Sequence, residues 1–202
     1  MRKQQREAIL ALLEETYMGT ETALNYSTPF ELLVAVIMSA QCTDERVNKI
    51  TARIFPKYNT PEKMGALSQE QLEEEIRDCG LFRSKAKNLL ATCKMLTEEY
   101  NSVIPDTVEE LMKLPGVGKK TANVVASIVY KVPAIAVDTH VFRVSHRLGL
   151  AKGDDPLAVE KELQKAIPKN KWSDAHHWLI WHGRKICKAR NPLCSELSLI
   201  HI

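Results

Sequence analysis

The sequence predicts an all-α protein, and three observations carry that prediction. Apolar residues recur with a helical period from one end of the chain to the other. Capping residues stand just ahead of the apolar runs. Alternating Val/Ile/Thr segments bounded by Asn-Gly or Asp-Gly turns are missing. The elements then follow in order. A first helix is expected over residues 3 to 17. Thr28-Pro29-Phe30-Glu31 supplies a capping hydroxyl, a proline at the first helical position and a reciprocal glutamate ahead of the apolar run from 32 to 38, which predicts a buried helix. Residues 44 to 55 form the next helix. Ser68-x-x-Gln71 opens another that should run through Asp78. Residues 83 to 100 form a long one, and Thr107-x-x-Glu110 opens a short one that stops at Leu114-Pro115-Gly116. Helices are expected at 119 to 131 and 139 to 149, one starts at Asp155-Pro156, and the last spans 172 to 186. The loops are short, so helices adjacent in sequence should pack together.

With 202 residues the chain can bury a substantial core as one large domain or two small ones. The excess of 28 basic over 25 acidic residues permits a polyanionic partner without demanding one. The charge is unevenly spread: residues 62 to 75 are rich in glutamate, whereas Arg184, Lys185, Lys188 and Arg190 lie close together with no acid among them. The longest apolar stretch, from 32 to 40 and broken only by Ser39, falls well short of the roughly 20 residues that span a bilayer, so no membrane insertion is expected. Five cysteines, three of them scattered as Cys42, Cys79 and Cys93, form no paired framework and point to a reducing cytosol. The last eight residues carry no cap and no basic residue, and read as a truncated or altered terminus.

The segment richest in chemistry is Leu114-Pro115-Gly116-Val117-Gly118-Lys119-Lys120-Thr121-Ala122. Two glycines one residue apart let the chain reverse tightly and let backbone amides approach a ligand. Those amides then head a helix, where N–H groups bind anions, with Lys119 and Lys120 beside them. A helix precedes the turn, so the unit is helix, hairpin, helix, and the glycine spacing is too short for a nucleotide-binding P-loop. Two readings stand: a phosphate cradle, or a tight interhelical turn flanked by solvated lysines. Further on, Asp138 follows a short apolar run at the mouth of a helix. It reads as a helix cap, and equally as a rigidly held carboxylate facing whatever the lysine attacks.

Several ordered segments resemble the endonuclease III family, base-excision-repair glycosylases of the helix-hairpin-helix superfamily. They are Ser39-Ala40-Gln41-Cys42-Thr43-Asp44, Gly80-Leu81-Phe82-Arg83-Ser84-Lys85-Ala86, the hairpin from 114 to 123, Val137-Asp138-Thr139-His140, and His182-Gly183-Arg184-Lys185-Ile186-Cys187 through Cys194. The resemblance covers nearly the whole chain. It implies two helical lobes, a six-helix bundle over 21–133 and a second lobe joining 1–20 to 134–202, with a DNA-binding cleft between them. It makes Lys120 the nucleophile that attacks the sugar carbon bearing a damaged base and, through a Schiff base, allows β-elimination of the strand. Asp138 becomes the carboxylate that stabilises positive charge on the sugar. A lysine attacks only as the neutral amine, so its pKa must fall from about 10.4, which a like-charged neighbour or a desolvated site would achieve.

A base inside a duplex is out of reach, and the nucleotide must be flipped out. By resemblance Gln41 fills the vacated stack and Leu81 wedges the opposite side. On residue type alone they read as a helix-end polar residue and an ordinary core leucine. The remaining DNA contacts implied are Gly116, Val117, Gly118, Lys119, Thr121 and His140, with Arg184, Lys188 and Arg190 on the phosphates. The implied partner is damaged double-stranded DNA, the substrates oxidised or ring-saturated pyrimidines, and the protein a cytoplasmic monomer. Trp178 and Trp181 read as core rather than as base-stacking platforms.

Cys187-x6-Cys194 resembles the first half of the four-cysteine loop in which the family holds a [4Fe–4S] cluster. The third ligand would fall at position 197, which is Leu197, so only two ligands are present. The loop's basic residues are then expected to lose their aim. Zinc held by Cys187, Cys194, His182 and His201 is an alternative of unusual spacing, and two free thiols are another. Two readings compete with an enzyme: a non-catalytic DNA-binding hairpin protein, and an unstable truncated fragment.

Overall fold

The computed structural model describes residues 2 to 197, and among them every regular element is helical. Helix α1 spans Lys3–Tyr17, α2 Pro29–Ser39, α3 Asp44–Ile54, α4 Pro61–Gly65, α5 Gln69–Glu75, α6 Phe82–Glu99, α7 Val108–Leu111, α8 Lys119–Tyr130, α9 Thr139–Arg147, α10 Pro156–Ala166 and α11 Trp172–Lys185. A 3-10 turn at Lys169–Lys171 precedes α11.

Local capping explains most of these starts. Oxygens of Thr28, Thr43, Thr60, Ser68, Thr107, Asp138 and Asp155 accept backbone N–H groups in the first turns of α2, α3, α4, α5, α7, α9 and α10. At Ser68 the reciprocal box is complete, since Gln71 Oε1 accepts the Ser68 amide at 2.8 Å. At Thr28 the box differs from expectation: Glu31 accepts instead from the Ser27 amide, 2.6 Å away, one residue before the cap. Helix α5 also ends at Glu75, short of Asp78. Arg53 of α3 explains this, donating to the Glu75 carbonyl at 2.6 Å and to the Asp78 carboxylate at 3.5 Å, so a distant side chain takes up a terminal carbonyl.

The chain divides into two compact units, Ala23–Tyr130 and the chain up to Thr22 joined with the chain from Lys131 onward. In the first, α2 is buried on every side from Phe30 to Met38 and packs against α3, α6 and α8. Its run of apolar residues is therefore a central core helix, each fully buried Leu or Ile contributing about 1.5–3 kcal/mol. Helix α6 carries α4 and α5, and α7 lies on α8. In the second unit, Ile9, Leu13, Val141, Val144, Val159, Leu163, Trp178 and Leu179 form the core, with α11 against both α1 and α9. Among the described residues, no helix is long and apolar enough to cross a membrane.

Candidate active site

The glycine hairpin is held from below by α6. Asn88 and Thr92, four residues apart and so on one helix face, reach it together. Thr92 Oγ1 donates to the Pro115 carbonyl at 2.9 Å, and the Val117 amide closes the turn on the Leu114 carbonyl at 3.1 Å. Gly116 has φ +77°, and a Cβ there would stand 2.8 to 3.1 Å from Asn88 side-chain atoms, so both backbone and space require glycine. Gly118 is different. It has no positive φ, and a Cβ would meet nothing within 4 Å. A turn alone accounts for Gly116 but not for Gly118, whose missing side chain leaves open approach to the start of α8. Lys119 and Lys120 are exposed in that first turn, Thr121 is half-buried, and the Val117 side chain is buried in the hairpin's base. The arrangement can hold an anion on helix-start amides with an accessible amine beside it.

In the other unit, Asp138 is half-buried and its Oδ1 accepts the amides of His140 at 2.8 Å and Val141 at 2.7 Å. It caps α9, and the cap fixes the carboxylate's orientation. His140 lies half-buried in the next turn, its Nδ1 3.2 Å from Arg143 Nη2. Burial lowers its pKa, with Asp138 opposing and Arg143 and Arg184 acting in the same sense as burial.

Gln41 and Leu81 share a conformation rare outside glycine, with φ 54° and φ 59°. Both are exposed, and Leu81 is 58% accessible, so it is not a core leucine. They stand on touching loops: a Cβ on Gly80 would come within 3.0 Å of the Gln41 carbonyl oxygen. The structure thus brings the loops that carry Gln41 and Leu81 together, and Gly116, Gly118, Lys119 and Lys120 together.

The cysteine loop departs from its expectation. Cys187 is buried, Cys194 half-buried, and Leu197, where the third ligand would fall, packs against the unit's apolar core. Two thiols and a leucine do not fit a four-thiolate cluster. Among the described residues no group of three or more His, Cys, Asp or Glu could hold a metal ion. The zinc alternative loses support as well. Cys187, Cys194 and His182 form no such group, His201 lies outside the described residues, and His182 is buried with Nδ1 3.1 Å from the Tyr17 hydroxyl. The loop nevertheless keeps its shape, contrary to expectation. Arg143 donates to the Cys187 carbonyl at 3.1 Å, and Arg147 donates to the Lys188 carbonyl at 2.7 Å and the Ala189 carbonyl at 3.2 Å. Arg184, Lys188 and Arg190 are exposed on or beside it. Trp178 is buried, and Trp181 donates Nε1 to the Glu21 carbonyl while the Arg184 and Lys185 cations lie 5.6 and 5.2 Å from its ring centre. Lys85, Asn88, Arg143 and Arg147 had no role in the sequence reading. Their only signal was membership of the ordered segments or of a helical face.

Known proteins share this chain's sequence and fold. Residues 34–169 match the family model of the HhH-GPD superfamily base excision DNA repair proteins. Endonuclease III of Synechocystis sp. is 45% identical over 202 residues, all of this chain and 92% of the relative. Endonuclease III of Bacillus subtilis is 49% identical over 98% of this chain and 91% of its own length. The solved structure of a trapped endonuclease III–DNA covalent intermediate superposes with a TM-score of 0.95 at 51% identity, covering 100% of this chain and 95% of that one. The chain belongs to the HhH-GPD superfamily of base excision DNA repair proteins and is a DNA glycosylase of the endonuclease III family.

Proposed function

We propose that this glycosylase removes oxidised or ring-saturated pyrimidines from double-stranded DNA and then cleaves the abasic strand, with Lys120 as its nucleophile. The observation that carries this reading is the exposed Lys120 amine in the first turn of α8, immediately behind a glycine that leaves the helix start open. The covalent endonuclease III–DNA intermediate among its structural neighbours supports the same chemistry. The Lys120 Nζ lone pair forms a bond to the sugar carbon as the base departs with its bonding electrons, taking up a proton. Ring opening gives a protonated Schiff base, which acidifies the neighbouring C–H, and loss of that proton expels the 3′ phosphate. Because Lys120 is exposed, exclusion of water around its amine falls to the bound DNA. Asp138, fixed by its cap, stabilises positive charge on the sugar.

Gly118, Lys119 and Thr121 contact a phosphate at the head of α8, with Gly116 and Val117 shaping the turn beneath it. Gln41 and Leu81 enter the stack from their paired loops as the damaged nucleotide leaves it. His140, Arg184, Lys188 and Arg190 add contacts from the second unit. The resemblance would place an iron-sulfur cluster at Cys187 and Cys194, but those residues do not complete a site, and no step above runs through iron.

Borohydride trapping on duplex DNA with an abasic site tests this reading. The wild type should give a covalent adduct, and Lys120→Ala should lose it, with turnover down roughly 10³-fold or more, while duplex affinity stays within about threefold. An adduct that survives in Lys120→Ala would refute the assignment. Asp138→Asn should lower turnover by about 10²-fold with little change in affinity, and equal losses in both would remove Asp138 from the transition state.

A further inference from the structure

We propose that Lys85 is a positioning residue that sets Gln41 and Leu81 as one rigid two-part wedge, governing extrusion of the damaged nucleotide rather than the bond-making step. The inference rests on the reading of Gln41 and Leu81 given above.

Lys85 is only 5% exposed, and its ammonium directs its donors at three groups. Nζ donates to the Met38 carbonyl at 2.8 Å, the Ala40 carbonyl at 2.7 Å and Cys79 Sγ at 3.2 Å. The two carbonyls belong to the last turn and cap of α2, where a helix runs out of amides and its dipole favours a cation. Burial raises the pKa of Cys79 against the pull of Lys85, and Cys79 Sγ donates in turn to the Met38 carbonyl at 3.4 Å.

Each partner is within three residues of a wedge. Ala40 directly precedes Gln41, and Cys79 lies two residues before Leu81. The Lys85 amide also donates to the Leu81 carbonyl at 3.1 Å, so its backbone holds one wedge while its side chain holds the loop of the other. Gln41 and Leu81 both sit in left-handed conformations, which persist only where the surroundings over-determine them. A buried cation is a costly way to end a helix if stability is the only return, since apolar packing does that without desolvating a charge. A fixed distance between two loops is what this network adds. The same face of α6 continues to Asn88 and Thr92 under the hairpin, so one helix carries both the wedge and the phosphate cradle.

The test compares substrates that do and do not need extrusion. One is a lesion-bearing duplex with 2-aminopurine beside the lesion, and the other is a single-stranded abasic oligonucleotide trapped with borohydride. In Lys85→Met, excision from the duplex should fall about tenfold or more and the 2-aminopurine unstacking signal should shrink, while single-strand trapping stays within about twofold of wild type. Gly80→Ala leaves Lys85 in place but puts a Cβ 3.0 Å from the Gln41 carbonyl, so it should give the same duplex-selective loss in smaller degree, and it carries the test should Lys85→Met not fold. Added to a Gln41→Ala/Leu81→Ala background, Lys85→Met should cost nothing further.

Equal losses on both substrates, no loss on either, or an additive loss in the triple variant would overturn the proposal. The underlying reading fails separately: wild type that gives no adduct sinks Lys120, and normal duplex excision by Gln41→Ala/Leu81→Ala sinks the wedge. A working wedge alongside unaltered Lys85→Met and Gly80→Ala sinks only the role of Lys85.

Discussion

The hairpin around Gly116 and the loop around Cys187 both present basic residues to solvent, yet they are held in opposite ways. The hairpin is shaped by its own backbone, through a turn bond from Val117 to Leu114 and a φ that only glycine adopts cheaply, with Asn88 and Thr92 bracing it from a neighbouring helix. The loop also closes on itself, with the Lys188 and Leu193 amides donating to the Ile186 carbonyl at 2.8 and 2.9 Å, but it relies besides on anchors from afar. Its carbonyls at 187 to 189 are gripped by guanidinium groups of α9, some 40 residues earlier. A site built from local geometry stays complete when a distant group is lost, whereas a borrowed one depends on each anchor. The reaction proposed above uses the first kind for its nucleophile and the phosphate beside it, and the second for further phosphate contacts.

The sharpest break in that comparison is made at the hairpin. Gly116→Ala forces a side chain into a left-handed φ and against Asn88, which should cost about 1–3 kcal/mol and lower Tm by roughly 3–8 °C. Gly118→Ala, two residues on, meets no atom and no strained φ, so its Tm should move by less than about 2 °C while duplex affinity falls on the order of tenfold as the Cβ blocks the helix start. Calorimetry and a binding titration on the pair decide the point. Equal Tm losses at both positions would mean that Gly118 serves only the turn.

The second break is in the loop. Arg147→Ala removes two bonds to exposed carbonyls, and the loss should be about 1 kcal/mol, read as faster hydrogen exchange at the Leu193 amide, which donates to the Ile186 carbonyl at 2.9 Å. Binding should also become less steeply dependent on salt, because Arg184, Lys188 and Arg190 would no longer be aimed together at phosphates. Unaltered exchange and an unaltered salt slope would show that the loop holds itself.

The same contrast governs what could be read from the sequence. The starts of α2, α5 and α10 were legible because a cap and its amide lie three residues apart, and Lys120 and Asp138 stand out because a glycine turn and an apolar run bracket them. Helix α4 was missed although Thr60-Pro61 repeats the signal of Thr28-Pro29, its apolar run being too short to show a period. The early end of α5 was not legible, since Arg53 that ends it comes from α3. Lys85 was equally hidden: a lysine inside a helical pattern reads as solvated, and the two carbonyls it binds lie 45 and 47 residues away in sequence. The aim of the cysteine loop was attributed to a cofactor because a motif names ligands and is silent about the arginines that do the holding.

The smallest expected effect is the most telling about that loop. A four-iron cluster needs four thiolates, and this chain has five cysteines. Three of them, Cys42, Cys79 and Cys93, belong to the other unit, where Cys79 and Cys93 are buried. Reconstitution of the 202-residue chain with ferrous iron and sulfide should therefore give well under one four-iron cluster per chain. Cys194→Ser, at a half-buried position, should shift stability by less than about 0.5 kcal/mol. If the chain instead takes up four irons, and Cys194→Ser both bleaches that absorbance and lowers Tm by several degrees, then ligation and not the α9 arginines shapes the loop, and the contrast with the hairpin is between a backbone site and a metal site.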